Sequence, residues 1–329
     1  MSSSSETFTV AGPVAEQTLA AALRCWLPEL SWSQARQHIA SRRVRLNGEL
    51  ILDPARRVHE GDIVELRTQS APKPHVRNAV VLRHLDEHLV VAEKPSGMPT
   101  VRHPAERQWT ARRRVLSPTL DDLVQAEIVT REGRTRKGPP PRLRVVHRID
   151  KETSGLVVFA RTVTGERGLG QQFHAHTVVR RYLTVVPGYV PPQRIATRLV
   201  RDRGDGRRGS TTVPGLGKEA ITHVEVLERL PGYTLLSCHL ETGRTHQIRI
   251  HLAGLGHPVC GDKVYRGTAG QPAIPDESSA PRLALHAAEL GFKHPITGRA
   301  MHWAMPLPAD LQEFLDGLRT RRRQPRGGS

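Results

Sequence analysis

Apolar residues near the start of the chain recur first at helical spacing and then at strand spacing. Residues 17–27 carry apolar side chains every three or four positions, which predicts an amphipathic helix. Ser33 is a candidate N-cap for a second helix that ends near Ser41. Asn47-Gly48, the pair preferred in two-residue hairpin turns, joins two short strands, and residues 62–66 are predicted to form another. We therefore expect a small unit of two helices followed by strands.

A change of pattern after a short Pro-containing stretch indicates a second, larger unit. From about residue 79, apolar strands and helical segments alternate irregularly, which predicts a mixed α/β (α+β) fold. An amphipathic helix is predicted over Thr119–Val129, inside an otherwise loop-like basic run. The predicted segments are a disordered lead (1–13), a small N-terminal domain (14–68), a linker (69–78), a large domain (79–308, with a basic Pro/Arg-rich insert at about 103–143), and a C-terminal helix with a basic tail (309–329).

Charge is the most informative feature of the composition. Of the 329 residues, 49 are Lys or Arg and 32 are Asp or Glu, so the formal charge is +17. A surplus of this size favours a polyanionic partner, because bound cations release counterions from a phosphate backbone. On charge alone, a protein that is merely basic or that binds anionic lipid remains an alternative.

Membrane and secretory features are missing from the sequence pattern. No apolar run reaches the roughly 18 residues of a membrane span, and the N-terminal residues lack the cationic and apolar segments of a secretory signal. Cys25, Cys238 and Cys260 are too few and too dispersed for a disulfide framework or a zinc site. We therefore expect a cytoplasmic protein without membrane association.

Four arginines cluster in the predicted N-terminal domain. Arg36, Arg42, Arg43 and Arg45 lie on the second helix and the strand after it. Such a cluster is equally typical of a solvated helix face. The order of elements in QARQHIASRRVRLNGELILDPARRVHEGDIVEL, however, resembles the S4-like RNA-binding module, which presents a basic helix to RNA. This resemblance implies that the four arginines contact RNA.

Three distant segments carry the candidate chemistry: HRIDKETSGL (147–156), RRYLTVV (180–186) and LETGRTHQIRIHLAGLGHPVCGD (240–262). Asp150 lies between a polar turn and an apolar strand, where an Asp commonly only caps the turn, and Gly155 permits a sharp reversal before that strand. In the third segment Thr245 is a candidate N-cap, and Gly256 is positioned to end the helix in a left-handed conformation. Arg244 and Arg249 then project from the start of this helix.

Three histidines of the third segment invite a metal hypothesis. The spacing of His246, His251 and His257 does not match HExxH or another ligand pair on one helix face. We therefore expect no metal site.

The three segments strongly resemble the signature motifs of the RluA family of pseudouridine synthases, and LDEHLVVAEKPSGMPTVRHP resembles the first segment of the same catalytic domain. Together they cover about residues 80–305 in the family's order. The resemblance implies a bent, largely antiparallel sheet that carries a cleft, and an isomerase that needs no cofactor. Departures are mild: Ile149 replaces the usual Leu, Glu93 replaces the usual Asn, and the basic insert is longer than usual.

The resemblance also assigns roles to individual residues. It implies that Asp150 is the catalytic carboxylate, that Arg249 pairs with it, and that Tyr182 stacks on the uracil. A phenol with an ordinary pKa near 10 is a poor base at neutral pH, so stacking is favoured over proton transfer. Arg148 is implied to enter the RNA stack when the target base is extruded, with His147 in support. Arg244 completes the predicted RNA contacts in this region.

Two alternative functions remain open from the sequence. One is an RNA-binding ribosome-assembly factor that has kept the fold and lost catalysis. The other is a different enzyme, such as a glycosidase with a nucleophilic Asp. The fusion of an S4-like module to this catalytic domain resembles enzymes acting on large-subunit (23S) ribosomal RNA, and transfer RNA is the second choice. RNA is the expected partner, with no obligate protein partner evident.

Overall fold

The structure is a computed structural model that describes residues 5–69, 80–106, 108–133, 142–267 and 270–320. The chain forms two compact units that divide between residues 78 and 79. The predicted linker lies almost entirely outside the described residues, as does the basic tail after residue 320.

The first unit is a small α/β structure with a four-stranded antiparallel sheet. The strands follow the order β1-β4-β2-β3, and both helices bury apolar residues in one core that includes Leu19, Leu23, Ile39 and Val64. Its elements are β1 (Ser5–Thr9), a short 3-10 helix (Gly12–Val14), α1 (Leu19–Trp26), α2 (Trp32–Ala40), β2 (Val44–Leu46), β3 (Glu49–Leu50) and β4 (Ile63–Arg67).

The prediction of a disordered lead is wrong for residues 5–9. They form β1, which pairs with β4 along its whole length, and the Phe8 ring stacks on Trp26 with 4.9 Å between centroids. Val10, directly after the strand, is 1% exposed. The Ser, Glu and Thr side chains of β1 hide its strand character because the strand lies at the sheet edge, where polar side chains face water.

Two details of the first unit test the predicted local chemistry. Asn47 and Gly48 both have positive φ, 52° and 77°, as a type I′ hairpin turn requires, which confirms that turn. The N-cap of α2, in contrast, is Ser31 instead of Ser33: its hydroxyl accepts a hydrogen bond from the Gln34 N–H, and the Gln34 side chain accepts one from the Ser31 N–H.

The second unit is built on one mixed sheet of eleven strands. Its helices are α3 (Ala111–Leu116), α4 (Leu120–Arg131), α5 (Val163–His174), α6 (Gln247–Gly254) and α7 (Ala309–Thr320), with a 3-10 turn at Pro104–Glu106. Its strands are β5 (Leu82–Leu85), β6 (Leu89–Lys94), β7 (Arg144–Val145), β8 (Ser154–Ala160), β9 (Val179–Pro187), β10 (Gln193–Val200), β11 (Gly209–Thr211), β12 (Lys218–Leu230), β13 (Tyr233–Leu240), β14 (Leu285–Lys293) and β15 (Ala300–Ala304).

The sheet runs β11-β10-β12-β13-β9-β14-β8-β6-β5, with β15 added to β14 and β7 to β8. Among these pairs only β14 and β8 are parallel, so the prediction of a largely antiparallel sheet is confirmed. Register shifts in the β12–β13 and β14–β9 pairs bend and twist the strands locally.

The centre of the sheet is buried on both faces. Every residue of β8 is buried; Val157 and Phe159 pack into one core, whereas Leu156, Val158 and Ala160 pack into the other. Successive strand residues point to opposite faces, so a strand covered on both sides becomes continuously apolar. The first core also contains Tyr182, which marks the face that carries the candidate site.

The basic insert is more ordered than the sequence pattern predicts. The predicted helix over Thr119–Val129 corresponds to α4, whose residues Leu120, Val124 and Ile128 enter the main core, and α3 is a further helix where a loop was predicted. Residue 107 and residues 134–141 of the insert lie outside the described part of the chain. In the described ranges, no helix combines the length and apolarity needed to cross a membrane.

Candidate active site

The three distant sequence segments meet in one cleft on the main-core face of the sheet. The cleft has a volume of about 180 Å³, and its walls include Asp150, Tyr182 and Arg249. These residues lie respectively on the loop before β8, on strand β9 and on helix α6. The predicted RNA-binding residues Arg148, His147 and Arg244 line the same cleft.

The loop that carries Asp150 is held by hydrogen bonds from the end of β6 and from the segment that follows β6. Lys94, which is fully buried, donates hydrogen bonds from Nζ to the carbonyls of Pro95, Met98 and Lys151 at 2.6–2.9 Å. Burial lowers the pKa of Lys94 to about 7. The Thr100 hydroxyl donates to the Ile149 carbonyl at 2.8 Å. Both neighbours of Asp150 are therefore held through their backbone, which orients the carboxylate towards the cleft.

Gly155 has a different role from the reversal that the sequence suggests. It lies inside β8 with φ 127°, between β6 and the parallel strand β14. A Cβ at this position would lie 2.2 Å from the Ala287 carbonyl oxygen, a distance that backbone atoms cannot tolerate. Glycine is required here because the backbone of the neighbouring strand β14 lies too close to leave room for a side chain.

Arg249 forms its strongest interaction with a residue that the sequence analysis did not assign. Its Nε and one terminal nitrogen donate to the two carboxylate oxygens of Asp262 at 2.6 and 2.8 Å, and both side chains are buried. Burial opposes the charge on Arg249, but the hydrogen bonds and charge of Asp262 outweigh it and raise the guanidinium pKa above its usual value. The other terminal nitrogen lies 3.7 Å from Asp150 Oδ2.

Asp150 is therefore flanked by a cation without accepting a close hydrogen bond from it. Its other oxygen, Oδ1, lies 3.9 Å from His246 Nε2. Both contacts are longer than hydrogen bonds, which leaves the carboxylate oxygens free to reach another atom. This combination suits a nucleophile or a base better than a fully hydrogen-bonded carboxylate would.

Tyr182 points into the cleft from β9 and is 8% exposed. Burial raises the pKa of its hydroxyl to about 12, so the phenol stays protonated near neutral pH. This arrangement suits stacking on a planar base better than removing a proton.

Arg180, two positions before Tyr182 on the same face, is a second buried cation in the cleft wall. One terminal nitrogen donates to the Leu240 and Glu241 carbonyls at 3.2 and 2.8 Å, and burial lowers the pKa of its guanidinium below the usual value. Its contacts join β9 to the turn that precedes α6.

The turn between β13 and α6 is held by a buried amide. The Gln247 side chain accepts from the Thr242 hydroxyl and the Arg244 N–H, and it donates to the Ile221 carbonyl and the Thr222 hydroxyl. The predicted N-cap, Thr245, is wrong: residue 246 occupies that position in a left-handed conformation, with φ 60°. Gly256, with φ 80°, follows the helix as predicted.

The predicted RNA-contact residues differ in how far they reach into solvent. Arg148 is exposed at the cleft, and Arg244 is exposed with Nε bonded to the Glu219 carbonyl at 2.9 Å. His147 is held by the protein itself, because its ring stacks on Phe173 and its Nε2 accepts from the Val158 N–H. Burial lowers the pKa of His147 to about 3, so it is neutral.

In the first unit, the predicted basic cluster straddles the end of α2. Arg36 is exposed, whereas Arg42, Arg43 and Arg45 are half-buried. Arg42 has a positive φ of 66° in the turn between α2 and β2, and Arg45 donates to the Gly48 carbonyl at 3.0 Å. Their contacts with RNA stay a prediction.

The three histidines of the third segment have separate partners. His251 lies between the Thr197 and Thr222 hydroxyls, His257 bonds to the Pro187 carbonyl, and His246 bonds to the Tyr265 hydroxyl. Among the residues that the structure describes, no group of three His, Cys, Asp or Glu side chains is arranged to hold a metal ion.

Sequence analysis missed the residues that support Asp150 and Arg249. Asp262, Tyr265 and Lys94 lie outside the cleft wall, and no local pattern distinguishes them from turn or strand residues. A Lys directly before Pro at the end of a largely apolar strand, such as Lys94, is an indirect signal, because a buried cation needs a specific set of partners.

Comparison with known proteins gives two family matches. Residues 88–254 match the family model described as RNA pseudouridylate synthase, and residues 22–64 match the S4 domain model. The chain is 38% identical over 248 residues to a ribosomal large subunit pseudouridine synthase D from Nitrosomonas europaea, covering 74% of this chain and 67% of that one. It is 34% identical over 325 residues to a protein of the same name from Xylella fastidiosa, and this match covers 94% of this chain and 92% of that one.

A solved structure shares the fold over most of this chain. The human RNA pseudouridylate synthase domain containing 4 superposes with a TM-score of 0.56 at 23% identity, and the match covers 72% of this chain and 92% of that one. At this identity the likeness concerns the fold.

Proposed function

Because the chain belongs to the RNA pseudouridylate synthase family, we propose that it isomerises uridine in large-subunit ribosomal RNA and that Asp150 is its catalytic carboxylate. The observation that carries the assignment of Asp150 is its position in the cleft, 3.7 Å from a buried guanidinium that Asp262 holds in place. An enzyme with this substrate works where ribosomes are assembled, so the proposal includes a cytoplasmic location.

The reaction converts an N-glycosidic bond into a C-glycosidic bond. The bond from the uracil N1 to the ribose C1′ breaks, the base turns, and C5 bonds to C1′. The proton that leaves C5 is balanced by the proton that N1 gains. No atom is lost and no electron is transferred to another molecule, so the chemistry requires a carboxylate, a shielded site and control of the base.

Each cleft residue has a proposed part in this reaction. Asp150 acts as the nucleophile or base, with the Arg249 guanidinium beside its carboxylate. Tyr182 stacks on the uracil and keeps it in the cleft while it turns. Arg148, exposed at the cleft, fills the space that the extruded nucleotide leaves in the RNA, since a planar guanidinium can stack on bases.

The target RNA is proposed from the relatives and from charge. The relatives named above carry ribosomal large subunit in their names, and the S4 match adds a second RNA-binding element to a chain of net charge +17. Pseudouridine mapping in total RNA from a strain lacking this protein should reveal sites lost from large-subunit ribosomal RNA. Loss confined to transfer RNA would replace the proposed target and keep the reaction.

The catalytic assignment is tested by Asp150→Asn, which keeps the size of the side chain and removes its charge. We expect tritium release from [5-³H]uridine-labelled RNA to fall by at least about 10⁴-fold, because the amide can neither attack nor accept a proton, while RNA affinity stays within about threefold. Asp316→Asn, which changes an exposed carboxylate on α7, is the matched control. Tritium release in Asp150→Asn at the control rate would refute the role of Asp150, and an RNA-binding assembly factor without catalysis would then be favoured.

A further inference from the structure

We propose that His246 and Tyr265 form a positioning pair that orients the Asp150 carboxylate from the side opposite to Arg249. This inference rests on the proposed function of Asp150. It assigns a role to His246 and Tyr265, which have no part in the reaction or the RNA contacts proposed above.

The two oxygens of Asp150 face two different groups. Arg249 approaches Oδ2 at 3.7 Å, and His246 Nε2 approaches Oδ1 at 3.9 Å. A direct hydrogen bond from His246 requires the gap to close by about 1 Å, a change that contacts of catalytic groups commonly undergo when substrate binds. Held on both oxygens, the carboxylate plane could not rotate away from the reacting carbon.

The tautomer of His246 is set by its second partner. His246 Nδ1 lies 2.7 Å from the Tyr265 hydroxyl, and Tyr265 is 2% exposed. Burial raises the pKa of Tyr265, so its hydroxyl stays a donor, and burial lowers the pKa of His246, so its ring is neutral near pH 7. If the hydroxyl donates to Nδ1, the proton of the ring lies on Nε2, which is the nitrogen that faces the Asp150 carboxylate.

Backbone strain at residue 246 gives independent support. His246 adopts a left-handed conformation, φ 60° and ψ 20°, directly before helix α6. This conformation is unfavourable for a non-glycine residue, because its Cβ crowds the following carbonyl oxygen. The strained conformation aims the imidazole back towards the cleft, where it meets both Tyr265 and Asp150.

Tyr265 also contacts the other group that flanks Asp150. The Arg249 guanidinium lies 4.9 Å from the centre of the Tyr265 ring. The backbone N–H of Tyr265 donates to Asp262 Oδ1 at 2.9 Å. One tyrosine therefore holds His246 by its hydroxyl and packs against Arg249 with its ring. Removal of the Tyr265 hydroxyl alone should disturb its contact with His246 and leave its contact with Arg249 unchanged.

The main experiment uses His246→Gly, because glycine accepts the left-handed backbone and leaves a cavity at the imidazole position. Single-turnover tritium release at saturating RNA should slow by about 10- to 100-fold, as expected for the loss of a hydrogen bond to a charged group. Added imidazole should restore at least a third of the wild-type rate, and RNA affinity should be unchanged. Failure of imidazole to accelerate His246→Gly more than it accelerates the wild type would overturn the proposal.

Tyr265→Phe tests the second member of the pair. We expect a loss of about 3- to 10-fold in the single-turnover rate, from one weakened hydrogen bond, and no further loss when Tyr265→Phe is added to His246→Gly. Tyr189→Phe is the matched control. The Tyr189 hydroxyl accepts a hydrogen bond from Arg229, and the Arg229 guanidinium lies over the Tyr189 ring, but this site is exposed. Equal rates in Tyr265→Phe and Tyr189→Phe, or fully multiplicative losses in the double variant, would contradict the pairing.

A measurement without catalysis separates this proposal from the proposed function. Imidazole ¹⁵N chemical shifts of His246 should report a single tautomer with the proton on Nε2 in the wild type and a mixture in Tyr265→Phe. If wild-type protein releases no tritium from any RNA, the proposed function fails, and the nitrogen shifts still decide the pairing. An unchanged tautomer in Tyr265→Phe overturns it.

Discussion

A single arginine, Arg249, serves two carboxylates in different ways. Asp262 takes its bidentate hydrogen bonds, and Asp150 receives mainly its charge. The Asp262 side chain also accepts the N–H groups of Val264 and Tyr265, so the acceptor is itself fixed. We infer that Asp262 determines where the charge of Arg249 lies relative to Asp150.

Asp262→Asn should therefore destabilise the protein and slow catalysis. Replacing one member of a buried ion pair leaves the other charge without compensation, which costs about 3–5 kcal/mol. We expect the free energy of unfolding in urea to fall by this amount, and the single-turnover rate to fall at temperatures where the variant remains folded.

The control for Asp262→Asn is Asp310→Asn. Asp310 forms a second bidentate pair, with Arg282, but its carboxylate is 45% exposed. Surface pairs contribute about 0–1 kcal/mol. If the two variants lose equal stability, Arg249 does not depend on Asp262 in the way that we describe.

At the scale of the element, capping side chains determine where helices begin. The sequence places two serines near the start of α2, and only Ser31 makes the reciprocal hydrogen bonds with Gln34. Periodicity does not distinguish the two, because both precede the same apolar positions.

Ser31→Ala should weaken α2 and Ser33→Ala should not. Loss of an N-cap costs about 1 kcal/mol, whereas an exposed Ser→Ala change within the first turn is neutral or slightly favourable. Amide hydrogen exchange of α2 in the full-length protein measures the difference. Faster exchange in Ser33→Ala than in Ser31→Ala would contradict the cap assignment.

At the scale of the whole molecule, charge determines how RNA affinity depends on salt. Each arginine that neutralises a phosphate contributes about 0.7–0.9 to the slope of log affinity against log salt concentration. Arg36→Gln with Arg43→Gln should lower that slope by about 1.5 and weaken RNA binding, while the single-turnover rate at saturating RNA stays unchanged.

The control for this pair is Arg319→Gln. Arg319 is already bonded to Glu228 and Asp316 on the surface of the second unit, so its removal should leave the salt slope within experimental error. An unchanged slope in Arg36→Gln with Arg43→Gln would mean that the first unit does not contact phosphates through these residues.

Global stability should depend on pH through buried histidines, among them His251 and His286. Burial is the main cause that lowers the pKa values of His251 and His286 to about 4, from 6.5. Between pH 4 and 6.5 the unfolded state therefore binds more protons than the folded state, so stability is complete above pH 6.5 and declines as the pH falls towards 4. From pH 7 to pH 5 we expect a loss of about 2 kcal/mol for each histidine.

Urea unfolding at pH 7 and pH 5 tests this dependence. His251→Asn should lose about 2 kcal/mol less than the wild type over the same interval, whatever its stability at pH 7, because it no longer gains that proton on unfolding. A wild-type free energy of unfolding that does not decrease between these pH values would refute the assignment of neutral, buried histidines.

Much of the local structure follows from the sequence. Helices α1, α2 and α4, the Asn47-Gly48 turn and strand β4 appear where spacing predicts them, because side chains that must be buried together recur with the period of their element. Strand β1 and helix α3 do not. Strand β1 consists largely of polar residues and is stabilised by pairing with β4, and α3 is a short helix with three consecutive arginines.

The sequence alone determined the chemical inventory: an Asp, a Tyr and an Arg in three recognisable segments, a positive charge suited to RNA, and the regular elements that carry them. Only the tertiary structure decided which groups support that inventory. Asp262 and Tyr265 act through contacts between helix α6 and the loop that follows it, whereas Lys94 and His246 contact the distant loop that carries Asp150. The order of strands in the sheet brings that loop together with β6 and α6. Local periodicity holds no information about that order, because the same buried stripe satisfies many possible neighbours.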